Sequence, residues 1–406
     1  MIVRKINANE YKETSKVYHI AFGYKMDDSS SNEELIKQFE ENPQSRFSLY
    51  YLEKWAAFND DNKMIGFVSA LPYNVYFDGH IVLMSGIGGV STLPEYRRHG
   101  VMKEIMTTLL KDEYHNNYVF SYLYPFSNTF YNQFGYNPCC EQVRWTISMK
   151  AIKPFDVNYQ AYMHEKGSHT EDIKRVYKEF MKDYNLSVIR EDIDYLFYHK
   201  SNPAVDQHYT YIFKNATNEA IAVVTLRKVQ KNNKNVLLCN HFYFTCFEGL
   251  KAIFNHILTY RNYYDCFEFV LPIDIQIANM IQEWALYPST RNIEFKGMAR
   301  VINAKKALEL AKYDGSGTIV IKINDDIIFE NNKTFTITFK NNKCESIFEA
   351  NDHPDIEMGI DDFSSLIVGN YDYQDYSHFD NIKIYNNHEN IKKVFYFKKN
   401  FIYDAF

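Results

Sequence analysis

Glycine and proline are scarce in this chain, at 15 and 10 of 406 residues. That scarcity excludes a collagen-like or low-complexity scaffold and suits long regular elements joined by polar turns. Cysteine is sparse and unpatterned: Cys139, Cys140, Cys239, Cys246, Cys266 and Cys344 form no C-x-x-C pair. A secreted disulfide framework would be denser, and a zinc site would need ligands paired at close spacing. The thiols therefore read as buried or free in a reducing compartment, and the histidines show no metal spacing either, so no metal is expected. Long hydrophobic runs are missing. The longest spans residues 220–224, against the roughly 20 that cross a bilayer, and the first eight residues hold no apolar signal core. A soluble, cytoplasmic protein with no membrane partner is expected. Positive charge is not in excess: 45 Lys and Arg face 51 Asp and Glu, for a net charge of −6. That balance excludes a nucleic-acid partner held by bulk charge and leaves room for a local basic patch.

What is present is a packed chain, 46% hydrophobic and 24% charged, with 34 Tyr and 31 Phe. Its length suggests two to four domains. A strand at 2–6 leads to Asn7, an N-cap with Glu10 three residues on, opening a helix to Phe22. A second helix covers 33–41. Strands follow at 55–58 and 64–71, then a hairpin of 75–77 and 81–84 about Asp78-Gly79. Its second arm runs to Thr92 and stops at Pro94. Val101, Met102, Ile105, Met106, Leu109, Leu110 and Tyr114 mark one face of a helix. A strand at 119–124, a short helix at 128–134 closed by Gly135, and a strand at 140–149 complete the first part. After a polar stretch at 158–170 a similar order of helices and strands recurs, ending in a helix at 276–284. A third part starts near Val301, with a helix at 304–311 and alternating strands at 318–323 and 334–339.

The informative stretch is Val90 to Glu104. A strand ends, Pro94 stops pairing, and Arg97-Arg98-His99-Gly100 opens an amphipathic helix. The first amides of a helix lack internal partners and carry the positive end of its dipole. With no Cβ at Gly100 and two arginines beside it, this is a cradle for a diphosphate. On spacing alone, a solvated basic helix start reads equally well.

Arg97-x-x-Gly100 after a strand resembles the acyl-coenzyme-A loop of the GNAT N-acetyltransferases. Met102 stands where that loop has a small residue, as in the Eis-like (enhanced intracellular survival) subfamily. The segment from Ser127 through Tyr131 to Phe134-Gly135-Tyr136 is similar to the Eis-like one in which a tyrosine precedes a Phe-Gly-Tyr turn. The resemblance covers the whole chain. It implies an α/β plus α+β fold: a GNAT domain at 1–150, a degenerate GNAT-like domain at 151–297, both with a mixed sheet flanked by helices, then a sterol-carrier-protein-like domain at 298–406. It also implies acetyl-coenzyme A as co-substrate, a primary amine of a small-molecule or peptide acceptor, and a homo-oligomer, of which a hexamer is one form.

The same resemblance assigns roles. Val90 and Thr92 on the strand, with Arg97, Arg98, His99, Gly100 and Val101, bind the cofactor. The Val90 amide is the oxyanion donor. Tyr131 is the general acid, since a phenol of ordinary pKa near 10 keeps its proton for the leaving thiolate. Phe406 is expected to end the chain with its carboxylate in the active site as the base. An α-carboxyl pKa of about 3.5 matches an ammonium poorly, so it would act after burial, through water or by electrostatic positioning. Asp27, Asp28 and Asp404 are the acidic candidates for holding a cationic acceptor: an aminoglycoside, a polyamine or a lysine side chain. In the second domain Glu248 stands where the loop needs arginine, so coenzyme A is not expected there. The runners-up are a Fem-like aminoacyltransferase and a lipid-binding protein with a vestigial GNAT domain.

Overall fold

The structure, a computed structural model, describes residues 1–41, 46–350 and 352–406. Strand β1 (Ile2–Lys5) runs into the expected cap: the Asn7 amide donates to Glu10 Oε2 at 2.8 Å, on a single 3₁₀ turn that feeds α1 (Tyr11–Phe22). Helices α2 (Asn32–Glu41) and α3 (Arg46–Leu49) precede β2 (Lys54–Phe58), β3 (Met64–Phe77) and β4 (His80–Thr92). The sequence pattern breaks β3 near Pro72, but the strand runs through it, with Pro72 opposite Ser85. The β2–β3 ladder has already ended at Lys54↔Ser69. One side of β3 therefore has no partner strand among the described residues where proline withholds its donor, and the Pro72 carbonyl there accepts from Arg46 Nη1 at 3.1 Å. Next come α4 (Val101–His115), β5 (Phe120–Leu123) and α5 (Asn128–Asn132). The core face of α4 buries Val101, Met102, Ile105, Met106, Leu109 and Leu110, as the periodicity predicts.

The middle of the chain supplies β6 (Asn137–Ser148), β7 (Gln160–Met163), α6 (Thr170–Met181), α7 (Asp192–Tyr198), α8 (Pro203–Asp206), β8 (Tyr209–Lys214), β9 (Ala220–Lys231), β10 (Lys234–Phe244), α9 (Phe247–Leu258), β11 (Cys266–Pro272) and β12 (Thr290–Val301). The helix expected at 276–284 is one 3₁₀ turn, Ala278–Met280. Ile277, Met280 and Ile281 are already buried by that turn, while Trp284 and Leu286 stay exposed, so no further apolar face drives the helix onward. The last part holds α10 (Ala304–Leu310), β13 (Gly317–Asn324), β14 (Lys333–Lys340), β15 (Lys343–Glu349), β16 (Ile356–Gly359), α11 (Ile360–Ile367), α12 (Tyr373–Tyr376), β17 (Lys383–Ile384) and α13 (His388–Val394). Strand β15 has little apolar patterning. It is fixed by the turn Asn341-Asn342, whose φ values of 52° and 68° fit a two-residue hairpin.

The fold is mixed α/β with a C-terminal α+β part. Two compact units result: Met1–Cys140 with Lys296–Asn400 and Asp404–Phe406, and Glu141–Phe295 with Phe401–Tyr403. In the first, strands run in the order β1-β2-β3-β4-β5-β12, and a second sheet runs β15-β14-β13-β16-β17. In the second unit the order is β6-β11-β10-β9-β8-β7. Inside the first unit Arg300 is fully buried. Its Nη2 donates to both oxygens of Asp325 at 2.9 and 2.7 Å, and its Nη1 donates to the Phe134 carbonyl.

Glu113 on α4 is also buried, and neither carboxyl oxygen has a hydrogen-bond partner among the described residues. Burial pushes its carboxyl up to about 8. Because this folded value lies above the unfolded one, the group's contribution is fully present below about pH 4.5 and is lost as pH rises through about 8. Asp362, pushed up to about 7 by burial, works in the same direction. Glu113→Gln is therefore expected to match the unaltered protein at pH 5 and to exceed it by about 3–5 kcal/mol near pH 9. Chemical denaturation at the two pH values reads this; an equal gain at both would remove the ionisation from the account.

Candidate active site

Parallel strands β4 and β5 pair from Met84↔Phe120 to Ile87↔Leu123, and there the pairing ends. Strand β4 continues to Thr92, held from then on by β3 alone. Within that stretch the register slips, so that Gly89 and Val90 together face Val68. Such a bulge turns backbone groups out of the ladder. Gly89 makes it possible by adopting φ +60°, which residues with a Cβ disfavour. The Ser91 hydroxyl pins the bulge by donating to the Gly89 carbonyl at 2.8 Å.

A cleft of ≈ 580 Å³ opens beside the splay. Val90, Ser91 and Thr92 form one wall, Arg97, Arg98 and Gly100 with the first turn of α4 another, and Phe126, Phe130 and Phe134 a third. Gly100 caps α4 in a left-handed conformation with φ +79°, and a Cβ added to it would have nothing within 4 Å, so the entrance to the helix is open. Arg97 donates through Nη2 to the Ala21 carbonyl at 2.9 Å. Arg98 has no hydrogen bond or ion pair among the described residues, although it lines the same cleft. Two arginines, the start of a helix and an apolar wall suit an anionic ligand such as a diphosphate with an apolar arm.

On the other side of the bulge lies a cleft of ≈ 490 Å³, walled by Tyr11, Tyr18, Phe39, Phe47 and Phe67, with His19 and Lys54. Phe406 forms part of it. The Phe406 ring packs among Tyr73, Tyr122 and Tyr124, at centroid distances of 5.1, 5.9 and 5.3 Å. The Tyr124 hydroxyl donates to the Asp404 carbonyl. Gly86 and Gly88 lie against Phe406: a Cβ on Gly86 would lie 2.7 Å from Phe406 Cγ, and one on Gly88 would lie 3.0 Å from the Phe406 main-chain carbonyl carbon. The two clefts meet at Gly89–Val90, the first residue facing one cleft and the second facing the other.

Residues 2–139 match the acetyltransferase (GNAT) domain family, and residues 304–400 match the sterol carrier protein domain family. Among solved structures, Eis1 from Mycobacterium abscessus is similar over 100% of both chains, with a TM-score of 0.79 at 15% identity. The chain carries a GNAT domain and a sterol carrier protein domain in an Eis-like fold. A probable N-acyltransferase from Enterococcus faecalis V583 is similar over 100% of this chain and 99% of its own, with a TM-score of 0.86 at 21% identity. A GCN5-related N-acetyltransferase from Anabaena variabilis ATCC 29413 covers 100% of both chains, with a TM-score of 0.83 at 16% identity. A search of curated proteins finds no match.

In this Eis-like fold Val90, Thr92, Arg97, Arg98, Gly100 and Val101 share the first cleft. His99 is exposed and is not among its lining residues. Tyr131 is buried behind that cleft's aromatic wall, with its ring 5.4 Å from Phe126 and 5.1 Å from Phe130, and burial raises its phenol above the ordinary value. Asp27 caps a turn by accepting from the Ser29 amide at 3.0 Å, and Asp28 pairs with Lys12 at 2.6 Å. Both are exposed, and neither lines a cleft. Asp404 is buried, two residues before the end of the chain, and is not a lining residue either. Cys139 and Cys140 are buried away from both clefts. No group of three His, Cys, Asp or Glu fit to hold a metal occurs among the described residues, and none of the helices described is long and apolar enough to cross a membrane. In the second unit Gly249 of α9 is a packing residue: its Cβ would lie 2.5 Å from the Ile221 carbonyl oxygen. Open space of the kind beside Gly100 is thus missing there.

Sequence reasoning missed the second cleft. His19 and Lys54 stood out by no motif. Tyr11, Ser15 and His19 do recur at helical spacing on α1, and the glycines at 86, 88 and 89 within one strand signal a close approach to the backbone.

Proposed function

We propose that this protein is an N-acetyltransferase moving acetyl from acetyl-coenzyme A to a primary amine of a small-molecule or peptide acceptor by direct attack. The observation that carries this reading is the meeting of the two clefts at the Gly89–Val90 bulge. One cleft is built for a diphosphate and the other for an organic acceptor. In this reading Arg97, Arg98 and the amides from Gly100 onward hold the diphosphate, with Thr92 beside them. The Val90 amide, turned out of the ladder, donates to the carbonyl oxygen as charge develops there. Tyr131 keeps its proton under burial and gives it to the departing thiolate.

The incoming ammonium must shed a proton. The Phe406 carboxylate, over Gly88, attracts the ammonium and orients it. His19 is a second base in the same cleft: Nδ1 lies 2.7 Å from the Ser15 carbonyl and donates to it, leaving the Nε2 lone pair free for a proton. In this reading His19 accepts the proton through its free ring nitrogen, and Phe406 acts as the electrostatic guide. The acids expected to hold a polycation lie outside the cleft, which leaves the acceptor defined as an amine. The division at 1–150, 151–297 and 298–406, and self-association, stand as parts of the same proposal.

A thermal-shift titration tests the reading. Acetyl-coenzyme A is expected to stabilise the unaltered protein, with Arg98→Ala weakening it by about tenfold or more through the loss of a charge-assisted contact. Arg97→Ala is expected to weaken it as well, with some loss of stability from its Ala21 contact. No stabilisation of the unaltered protein by the cofactor would overturn the proposal.

A further inference from the structure

Among the described residues, the acceptor cleft is lined by a cation and by no carboxylate side chain. Lys54 lines it, half-buried, with Nζ 5.4 Å from the Tyr11 ring centroid. Among the described residues it has no carboxylate partner and no side-chain hydrogen bond. Burial pulls its ammonium down to about 8, so it still carries charge at neutral pH. An ammonium held in an aromatic box without an anion is a cost to the free protein that an incoming anion relieves.

The register shows where that anion would sit. Lys54 lies opposite Ser69 on β3, and Ser69 lies opposite Gly88 on β4. Residues directly opposed across antiparallel strands project to the same face. The Phe406 main-chain carbonyl carbon, which bears the carboxylate of the proposed mechanism, lies over that face at Gly88. A row therefore crosses three strands, with a carboxyl group at one end and an ammonium at the other, about two strand spacings or ~10 Å apart between the Cα positions. Resting on the reading of this cleft as the acceptor site, we infer that the acceptor bears a carboxylate or phosphate several bonds from its reacting amine, bound by Lys54. The polar ends of such a molecule match the row in order: amine at Phe406 and Gly89, anion at Lys54, and an apolar body against the rings. A diamine of the same length would bring its second ammonium up to Lys54.

Matched pairs test this on the full chain. Hexylamine against 6-aminohexanoate, and cadaverine against lysine, differ only by a carboxylate. With acetyl-coenzyme A saturating, kcat/KM is expected to favour the carboxylate-bearing member by at least about tenfold, chiefly through KM. Lys54→Gln should remove the preference and Lys54→Arg should keep it. Equal rates within each pair, preference for the diamine, or an unchanged preference in Lys54→Gln would overturn the inference. Calorimetric binding of hexanoate reads the anion site without turnover: it is expected in the unaltered protein and in Lys54→Arg, and lost in Lys54→Gln. Absence of binding, or equal binding to Lys54→Gln, would overturn it. If hexanoate binds in the expected pattern but no amine releases thiol, the acetyltransferase reading fails and the anion site stands.

Discussion

Gly86→Ala is expected to lower kcat by about 10²-fold or more while acetyl-coenzyme A still binds. The reason is steric and local. The new Cβ would come 2.7 Å from Phe406 Cγ and 2.7 Å from Tyr73 Cε2. Both are atoms of ring bodies wedged into one aromatic cluster, so neither can swing aside as the end of a flexible chain would. Tyr73 is anchored in β3, which leaves the chain end as the part that moves. Displacing Phe406 carries its carboxyl group off Gly88 and out of the acceptor cleft. The cofactor cleft, on the far side of the bulge, contains neither residue. A few residues appended after Phe406 are expected to act the same way without touching β4, because the peptide bond removes the carboxylate charge. Steady-state kinetics with the cofactor thermal shift as control reads both variants. Full turnover in both would remove Phe406 from the mechanism. Loss in Gly86→Ala with full turnover in the extended chain would make the ring the working part and dismiss the carboxylate.

How much of this was legible before folding depends on how local the cause is. The cofactor side is local: strand, Pro94, Arg97 to Gly100 and the apolar stripe of α4 are contiguous, and the structure keeps them contiguous around one cleft. The β3 strand was read as broken at Pro72 because a proline's cost depends on whether a neighbouring strand needs its donor, which only the register reveals. The acceptor cleft draws on five residues of α1 and on one or two each from α2, α3, β2, β3, β4 and the chain's last residue, brought together from positions far apart in the sequence. Lys54 looked like any polar residue before a strand. The acidic residues Asp27 and Asp28 looked suited to a cation because they are acidic and near α1, yet a turn amide and Lys12 already satisfy them. Charge in a sequence says nothing about which charges are spent on one another.

The largest expected loss of stability comes from Asp325, and it should exceed the loss from its partner. Asp325→Ala leaves the Arg300 guanidinium fully buried with only the Phe134 carbonyl as a strong acceptor, a cost of about 3–5 kcal/mol. Arg300→Met is less severe. Asp325 would keep the Ile327 and Ile328 amides at 3.0 and 3.1 Å and the Asn331 side-chain amide at 3.0 Å, three donors that still solvate the carboxylate. A difference of at least about 1 kcal/mol between the two variants is therefore expected in the unfolding transition of this unit. The knot also bears on the site. Phe134 lines the cofactor cleft, and Gly135 after it turns with φ +79° directly over Arg300, where a Cβ would lie 1.9 Å from Nη1. An unpaired guanidinium that shifts toward water has to push through this turn and the helix carrying Tyr131. Asp325→Ala should thus weaken acetyl-coenzyme A binding even at temperatures where the protein remains folded, and Arg300→Met should weaken it less. Scanning calorimetry with and without the cofactor measures both orderings. Equal destabilisation by the two substitutions would mean that the carboxylate's other donors contribute nothing, and that the pair alone accounts for the knot.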